Sequence, residues 1–253
     1  MINIKNFLEN GYYVSNFQSA KLIDSFEKKI KEKVSNRLKK IKKKITHLDQ
    51  LHKLNLTDSE QMFIFDSNFR NIKFSKSDIR EIFKNNYLKA IFEHYYGNKK
   101  PHILYTLKER IKNNLSGFRV VSPNSNRVAK VHCESSYGIH CLTIWVPIKG
   151  FSNKCSLKIY PKSHMYRHEN KHIKYSGKFN KAQLFKEEYL KKFTQTKRIN
   201  FKKGQFLIFH PDLLHGGSKN NTSKVRVSME FRIYSNKNVS ALPQKREIDL
   251  SNL

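Results

Sequence analysis

Acid is scarce in this chain: 20 Asp and Glu stand against 50 Lys and Arg, giving a formal charge of +30 over 253 residues. Cysteine is rarer, with only Cys133, Cys141 and Cys155, and none of them forms a Cys-x-x-Cys pair. An odd count without paired spacing argues against a disulfide framework and against a zinc-type site. Free thiols in a reducing compartment are the expectation, and with them a cytoplasmic protein. No apolar run approaches the eighteen residues of a membrane span, and the opening Met1-Ile2-Asn3-Ile4-Lys5-Asn6 lacks a signal-peptide core. There is no repeat and no Pro/Gly/Ser-rich linker, so one domain over residues 1–253 is expected.

The 38% hydrophobic fraction is low, but 18 Phe and 12 Tyr supply large apolar side chains for a core. The basic excess is mostly Lys, 39 against 11 Arg. A field of that sign attracts nucleic acid, an anionic membrane surface or an anionic small molecule. No helix-turn-helix, zinc-finger or aromatic RNA-binding signature accompanies it. Solubility and composition drift are therefore favoured over specific nucleic-acid recognition as the source of the charge, an anionic sugar phosphate or nucleotide-linked substrate sits between the two, and the expected partner is a small molecule, with nucleic acid or an anionic membrane surface held as alternatives.

Periodicity predicts a short helix over Ile4 to Asn10, a strand at Tyr12 to Val14, and a Ser19-capped amphipathic helix from Ala20. Ile23, Phe26, Ile30, Val34, Leu38, Ile41, Ile45, Leu48 and Leu51 extend that helix to about residue 51. Ser77 caps a helix through Phe83, which Leu88 to Tyr96 extends or follows. From Ile103 the pattern turns to strands: Ile103 to Leu107, Gly117 to Val121, Ala129 to Glu134, Cys141 to Pro147, Ser156 to Tyr160, Gln205 to Phe209 and Lys224 to Tyr234. The fold class is α+β, a double-sheet jelly roll at about 101–236 buttressed by helices from about 1–100.

Chemistry concentrates in Val131-His132-Cys133-Glu134 and in Phe209-His210-Pro211-Asp212-Leu213-Leu214-His215. A His and a carboxylate two apart on a strand share a face. A second His brought in by the fold completes a two-His, one-carboxylate set that leaves positions open, the arrangement of non-haem Fe(II) oxygenases. His132, Glu134 and His215 are the candidate ligands. Eleven residues after His215, Arg226 and Ser228 share a strand face and offer a forked guanidinium and a hydroxyl to a carboxylate. His164, His168 and His172 have the four-residue spacing of a helical metal face, but no carboxylate strand accompanies them; the segment reads as a loop over the site, with His164 structural or substrate-facing.

These motifs, together with Leu157-Lys158-Ile159-Tyr160-Pro161-Lys162-Ser163-His164, Gly204 to His210 and the entry segment Asn10 to Val14, resemble the phytanoyl-CoA hydroxylase-like branch of the Fe(II)/2-oxoglutarate oxygenases. The family's usual ligand carboxylate is Asp where this chain has Glu134, and its usual Pro-Gly-Ser-His is Pro161-Lys162-Ser163-His164. The resemblance implies a jelly-roll core of the double-stranded β-helix type and the cofactors Fe(II), 2-oxoglutarate and O2. It also implies Arg226 and Ser228 on the distal carboxylate, with Thr143 and Tyr105 as further co-substrate contacts. Arg119, Trp145, His164 and Arg232 are candidate substrate contacts, with Glu230 as an alternative partner for Arg232. The implied activity is hydroxylation of a small molecule such as a sugar, nucleotide-linked sugar, amino acid or natural-product intermediate. A hydroxylase of nucleic acid or protein, and a non-catalytic binding module on the same fold, are the alternatives.

Overall fold

The structure is a computed structural model and describes residues 2–64, 71–99, 101–104, 115–123, 130–137, 140–166, 168, 173–176, 182–217 and 219–235. Helix α1 (Lys5–Asn10) closes on Gly11, whose φ of 76° is the left-handed conformation that ends a helix without steric cost. A side chain there would also strike the ring of His164, with a Cβ only 2.4 Å from Nδ1. Strand β1 (Tyr12–Asn16) follows directly.

Helix α2 (Lys21–Lys40) buries Leu22, Ile23, Phe26, Ile30, Val34 and Leu38 on one face. Ser19 bonds the Lys21 N–H from one position too early, and the N-cap is Ala20, without a side-chain cap. The helix stops a full three turns before the periodicity suggested. Lys42 takes φ 57°, and the Lys42 and Lys43 N–H groups return to the carbonyls of Lys39 and Leu38, the paired bonds of a Schellman stop. Consecutive lysines over 39–44 repel along a helix face, and no Gly announces the stop. The apolar series is completed instead by a 3-10 helix, Leu48–Leu54, which buries Leu48 and Leu51.

Next come α3 (Asp58–Ile64), β2 (Asn71–Lys73), α4 (Lys76–Phe83) and α5 (Asn86–Tyr96). The cap of α4 is Ser75, not Ser77: Ser75 Oγ accepts the Asp78 N–H and the Asp78 carboxylate accepts the Ser75 N–H, a reciprocal capping box. Asn85 caps α5 by accepting the Leu88 N–H. The remaining elements are β3 (Pro101–Leu104), β4 (Leu115–Val121), β5 (Leu142–Lys149), β6 (Lys158–Ile159), β7 (Ile173–Ser176), β8 (Ala182–Phe185), α6 (Glu187–Leu190), β9 (Lys197–Arg198), β10 (Gln205–Phe209), β11 (His215–Gly216) and β12 (Arg226–Ser235).

All pairings are antiparallel. The large sheet runs β1-β10-β5-β12-β4-β2, with β3 also on β12; the small sheet is β11-β6-β9; β7 and β8 pair with each other. Strand alternation sorts the large sheet's side chains. Val225 precedes β12, and with Val227, Met229, Phe231 and Ile233 it joins Leu142, Ile144, Val146, Phe206 and Ile208 in one core with the helices. On the other face Trp145, Leu207 and Phe209 meet Ile159, Leu157 and Ile199, from and beside the small sheet, in a second cluster. Among the described residues no helix is long and apolar enough to cross a membrane.

The Ser75–Asp78 box yields a stability test. Burial works to raise the Asp78 pKa, but Lys29 and the Ser75 groups outweigh it and hold the carboxyl below its ordinary 3.8. A depressed folded pKa adds stability that is complete above the unfolded value and is lost as pH falls through the folded one. Ser75→Ala should cost about 1 kcal/mol at neutral pH, a drop of about 2–4 °C in Tm for a domain of this size. The deficit should narrow in melts run below about pH 4.

Candidate metal centre

Two backbone hydrogen bonds hold the centre together. The His132 N–H donates to the His215 carbonyl at 2.9 Å and the His215 N–H returns to the His132 carbonyl at 2.9 Å. This isolated antiparallel bridge sets the two rings 4.4 Å apart. The other edge of β11 pairs with β6, with His215 opposite Ile159. The strand expected over Ala129 to Glu134 is not formed: His132 is a lone bridge residue, Glu134 opens a 3-10 turn (Glu134–Tyr137), and Ala129 lies outside the described residues. The turn still delivers the carboxylate. Glu134 Oε1 lies 3.5 Å from His215 Nε2 and 3.9 Å from His132 Nε2. One ligand atom from each residue falls within 4.8 Å of the others, the single such His/Cys/Asp/Glu group of three among the described residues.

The hydrogen bonds around the rings prepare them as ligands. His132 Nδ1 donates to the Lys130 carbonyl at 2.7 Å and His215 Nδ1 donates to the Leu213 carbonyl at 2.9 Å. A carbonyl only accepts, so each Nδ1 carries a proton and Nε2 is the ring nitrogen left to face Glu134. Burial, then the neighbouring His215, pushes the His132 pKa down to about 4, so the ring is neutral at physiological pH. Burial opposes ionisation of Glu134, but the Arg232 guanidinium and the two imidazoles hold its carboxyl well below the usual range. Neutral imidazoles and a charged carboxylate are the protonation states that bind a divalent cation.

On the same face, Arg226 and Ser228 are 2% exposed. Arg226 Nη1 donates to the Cys155 carbonyl at 2.6 Å, while its Nε is buried with no hydrogen-bond partner among the described residues. Burial, with Arg119 nearby, lowers the Arg226 pKa to about 10, which leaves it charged at neutral pH. A buried cation with an unmatched donor is costly unless an acceptor joins it, so the pair fits a carboxylate. Thr143, on the adjacent β5, also has a buried hydroxyl without a partner. The donor set and these orphaned atoms fit a metal ion with a carboxylate co-substrate beside it.

Of the other expected contacts, Arg119 lies on β4 opposite Ser228 and is exposed. Its charge bears on both His132 and Arg226. Trp145 is 3% exposed and packs against Phe151 and Phe201, so its indole belongs to the core between the sheets. His164 is structural: its Nε2 donates to the Leu8 carbonyl at 2.9 Å. Among the described residues no helical histidine face is seen: His164 sits in a 3-10 turn, while His168 Nε2 donates to the Asp212 carbonyl and its Nδ1 accepts from Tyr189. Tyr105 and His172 lie outside the described residues. Arg232 is committed to acids: its Nη2 reaches Glu134 Oε2 at 2.6 Å and Glu230 Oε1 at 2.7 Å. The Glu134 contact was not anticipated, and no local pattern signals a pairing across ninety-eight residues.

The sequence profile of the phytanoyl-CoA dioxygenase (PhyH) family matches residues 7–228. No curated protein matches the chain in sequence. Among solved structures the fold is shared with EctD from S. alaskensis in complex with 2-oxoglutarate and 5-hydroxyectoine, at 15% identity and TM-score 0.55 over 92% of this chain and 76% of that one. It is shared also with the non-haem α-ketoglutarate-dependent carbocyclase SnoK of nogalamycin biosynthesis, at 14% identity and TM-score 0.52 over 90% and 81%. The nickel complex of the non-haem monooxygenase ThoJ shares it too, at 10% identity and TM-score 0.53 over 94% and 79%.

His132→Ala tests the centre. The side chain is 19% exposed, so its removal should leave the circular dichroism spectrum and a cooperative melt in place. Loss of a direct ligand should weaken Fe(II) or Co(II) binding by more than the roughly 10–100-fold that follows removal of an outer partner, measured by titration calorimetry.

Proposed function

The chain belongs to the phytanoyl-CoA dioxygenase family, and on that premise we propose that it is an Fe(II)- and 2-oxoglutarate-dependent oxygenase that hydroxylates a small molecule. What supports this reading is the cluster of His132, Glu134 and His215 donor atoms within 4.8 Å of one another, together with the buried Nε of Arg226, which has no hydrogen-bond partner among the described residues. We read residues 1–253 as one domain, with the two packed sheets as a double-stranded β-helix, working in the cytoplasm; three buried free cysteines accord with a reducing compartment.

In this reading His132, Glu134 and His215 would hold the iron. Iron with 2-oxoglutarate supplies the oxidising power drawn from O2. Arg226, braced by the Cys155 carbonyl, receives the distal carboxylate of the co-substrate through its remaining N–H groups, with Ser228 adding a hydroxyl. Thr143 supplies a further donor from the neighbouring strand. The sheets on either side exclude water from the charged groups and strengthen each contact. Arg119, exposed on the same face, is placed to meet an anionic part of the substrate. The small-molecule assignment is supported by EctD, whose structure was solved with 5-hydroxyectoine, and by SnoK from nogalamycin biosynthesis.

Arg226→Lys keeps the charge and removes the planar fork. The KM for 2-oxoglutarate should rise by about tenfold or more, equivalent to roughly 1.4 kcal/mol or more, with Fe(II) affinity nearly unchanged. Absence of 2-oxoglutarate-dependent succinate formation in the parent protein would defeat the proposal.

A further inference from the structure

We infer that Arg232 is a positioning residue that pins Glu134 so that it presents a single oxygen to the metal. The inference rests on the metal reading of the site and goes beyond its ligand set. Oε1 of Glu134 is the oxygen turned to His215 and His132, while Oε2 is taken by Arg232 Nη2 at 2.6 Å. The same nitrogen reaches Glu230 Oε1 at 2.7 Å. The two N–H bonds of one planar nitrogen diverge, so Glu134 and Glu230 hold the guanidinium from two directions and fix its plane.

The need for such a device follows from the backbone. Glu134 stands at the start of a 3-10 turn, and its glutamate side chain carries one more rotatable bond than aspartate would. An unrestrained carboxylate on that longer arm can rotate to offer both oxygens to a cation and close a position that a reactant needs. With Oε2 held by Arg232, rotation about the terminal bond would break a charge-assisted hydrogen bond between groups that are 3% and 5% exposed. Arg232 itself is anchored by sheet register: it lies opposite Thr143 on one side and Leu104 on the other. The rigid part is therefore the sheet, and the ligand on the turn takes its orientation from it.

The test uses Co(II) as probe, with affinity measured by calorimetry and ligand geometry by the visible absorption of the bound ion. Arg232→Met should weaken Co(II) binding by roughly tenfold or more, as loss of an outer-shell partner does, and should alter the band pattern. Arg232→Lys, which keeps a donor on Oε2, should recover part of the affinity and most of the spectrum. It is also the variant to read if Arg232→Met does not fold. In a Glu134→Ala background, Arg232→Lys or Arg232→Met should change neither quantity further, because the effect runs through that carboxylate. The inference is overturned if a folded Arg232 variant binds Co(II) with parental affinity and spectrum, or if the loss persists undiminished in the Glu134→Ala background. Failure of the parent protein to bind Co(II) would instead overturn the metal reading.

Discussion

Alternation along one central strand divides this molecule. β12 is flanked by β5 on one edge and by β4 and β3 on the other, so both its edges are paired and both its faces are covered. Val227, Met229, Phe231 and Ile233 enter the core shared with the helices, while Arg226, Ser228, Glu230 and Arg232 take the opposite face. A one-residue slip would exchange the two sets. It would put guanidinium groups against the phenylalanines of the helical layer, where an unpaired charge costs several kcal/mol. The hydrophobic requirement of one face therefore sets the register of the charged one, and the site's geometry follows from core packing.

The charges on that second face need each other. Glu134 and Glu230 contribute two negative charges against three positive from Arg226, Arg232 and the exposed Arg119, so the group carries one formal positive charge before anything binds. The distribution within it is uneven. Arg232 carries both acids, whereas among the described residues Arg226 has only the Cys155 carbonyl as a hydrogen-bond partner. On the proposed function, a divalent cation beside Glu134 and a dianionic co-substrate against Arg226 add equal and opposite charge and leave that total unchanged. Each would fill the place where the local balance is unfavourable, which is how preorganised sites hold ionic ligands at low dielectric.

Much of this was legible before any coordinates, and the pattern of what was not is physical. Period-2 alternation from Arg226 through Ser228 to Arg232 assigned the face correctly, and the structure groups His132, Glu134 and His215 as their types and flanking residues suggested. The reason given for the first two was nevertheless mistaken: Glu134 reaches the histidines from a 3-10 turn, a geometry that an alternating pattern cannot distinguish from a strand over three residues. Lys42 ends α2 in a conformation associated with glycine, and Lys162 does the same in the turn before Ser163. Neither residue type signals a left-handed position. The contact of Arg232 with Glu134 is long-range and depends on the fold alone, and so does the packing of Trp145, a substrate candidate through the resemblance, on Phe151 and Phe201 from other elements.

The basic excess has a structural side. Many of the acids are already engaged: Asp24 with Lys203, Glu27 with Lys149, Glu60 with Lys43, Asp78 with Lys29, Glu81 with Lys84, and Glu134 and Glu230 with Arg232. Pairs at the surface contribute little stability, but each one neutralises an acid and leaves the remaining lysines without local compensation. The outward field is thus more uniformly positive than the composition alone states. Such a field raises the local concentration of any anion and speeds its arrival, an effect that added salt suppresses. On the proposed function a dianionic co-substrate and an anionic substrate both gain from it. Glu134, His215 and Arg226 are 2–3% exposed, and on the proposed function that burial suits a small ligand.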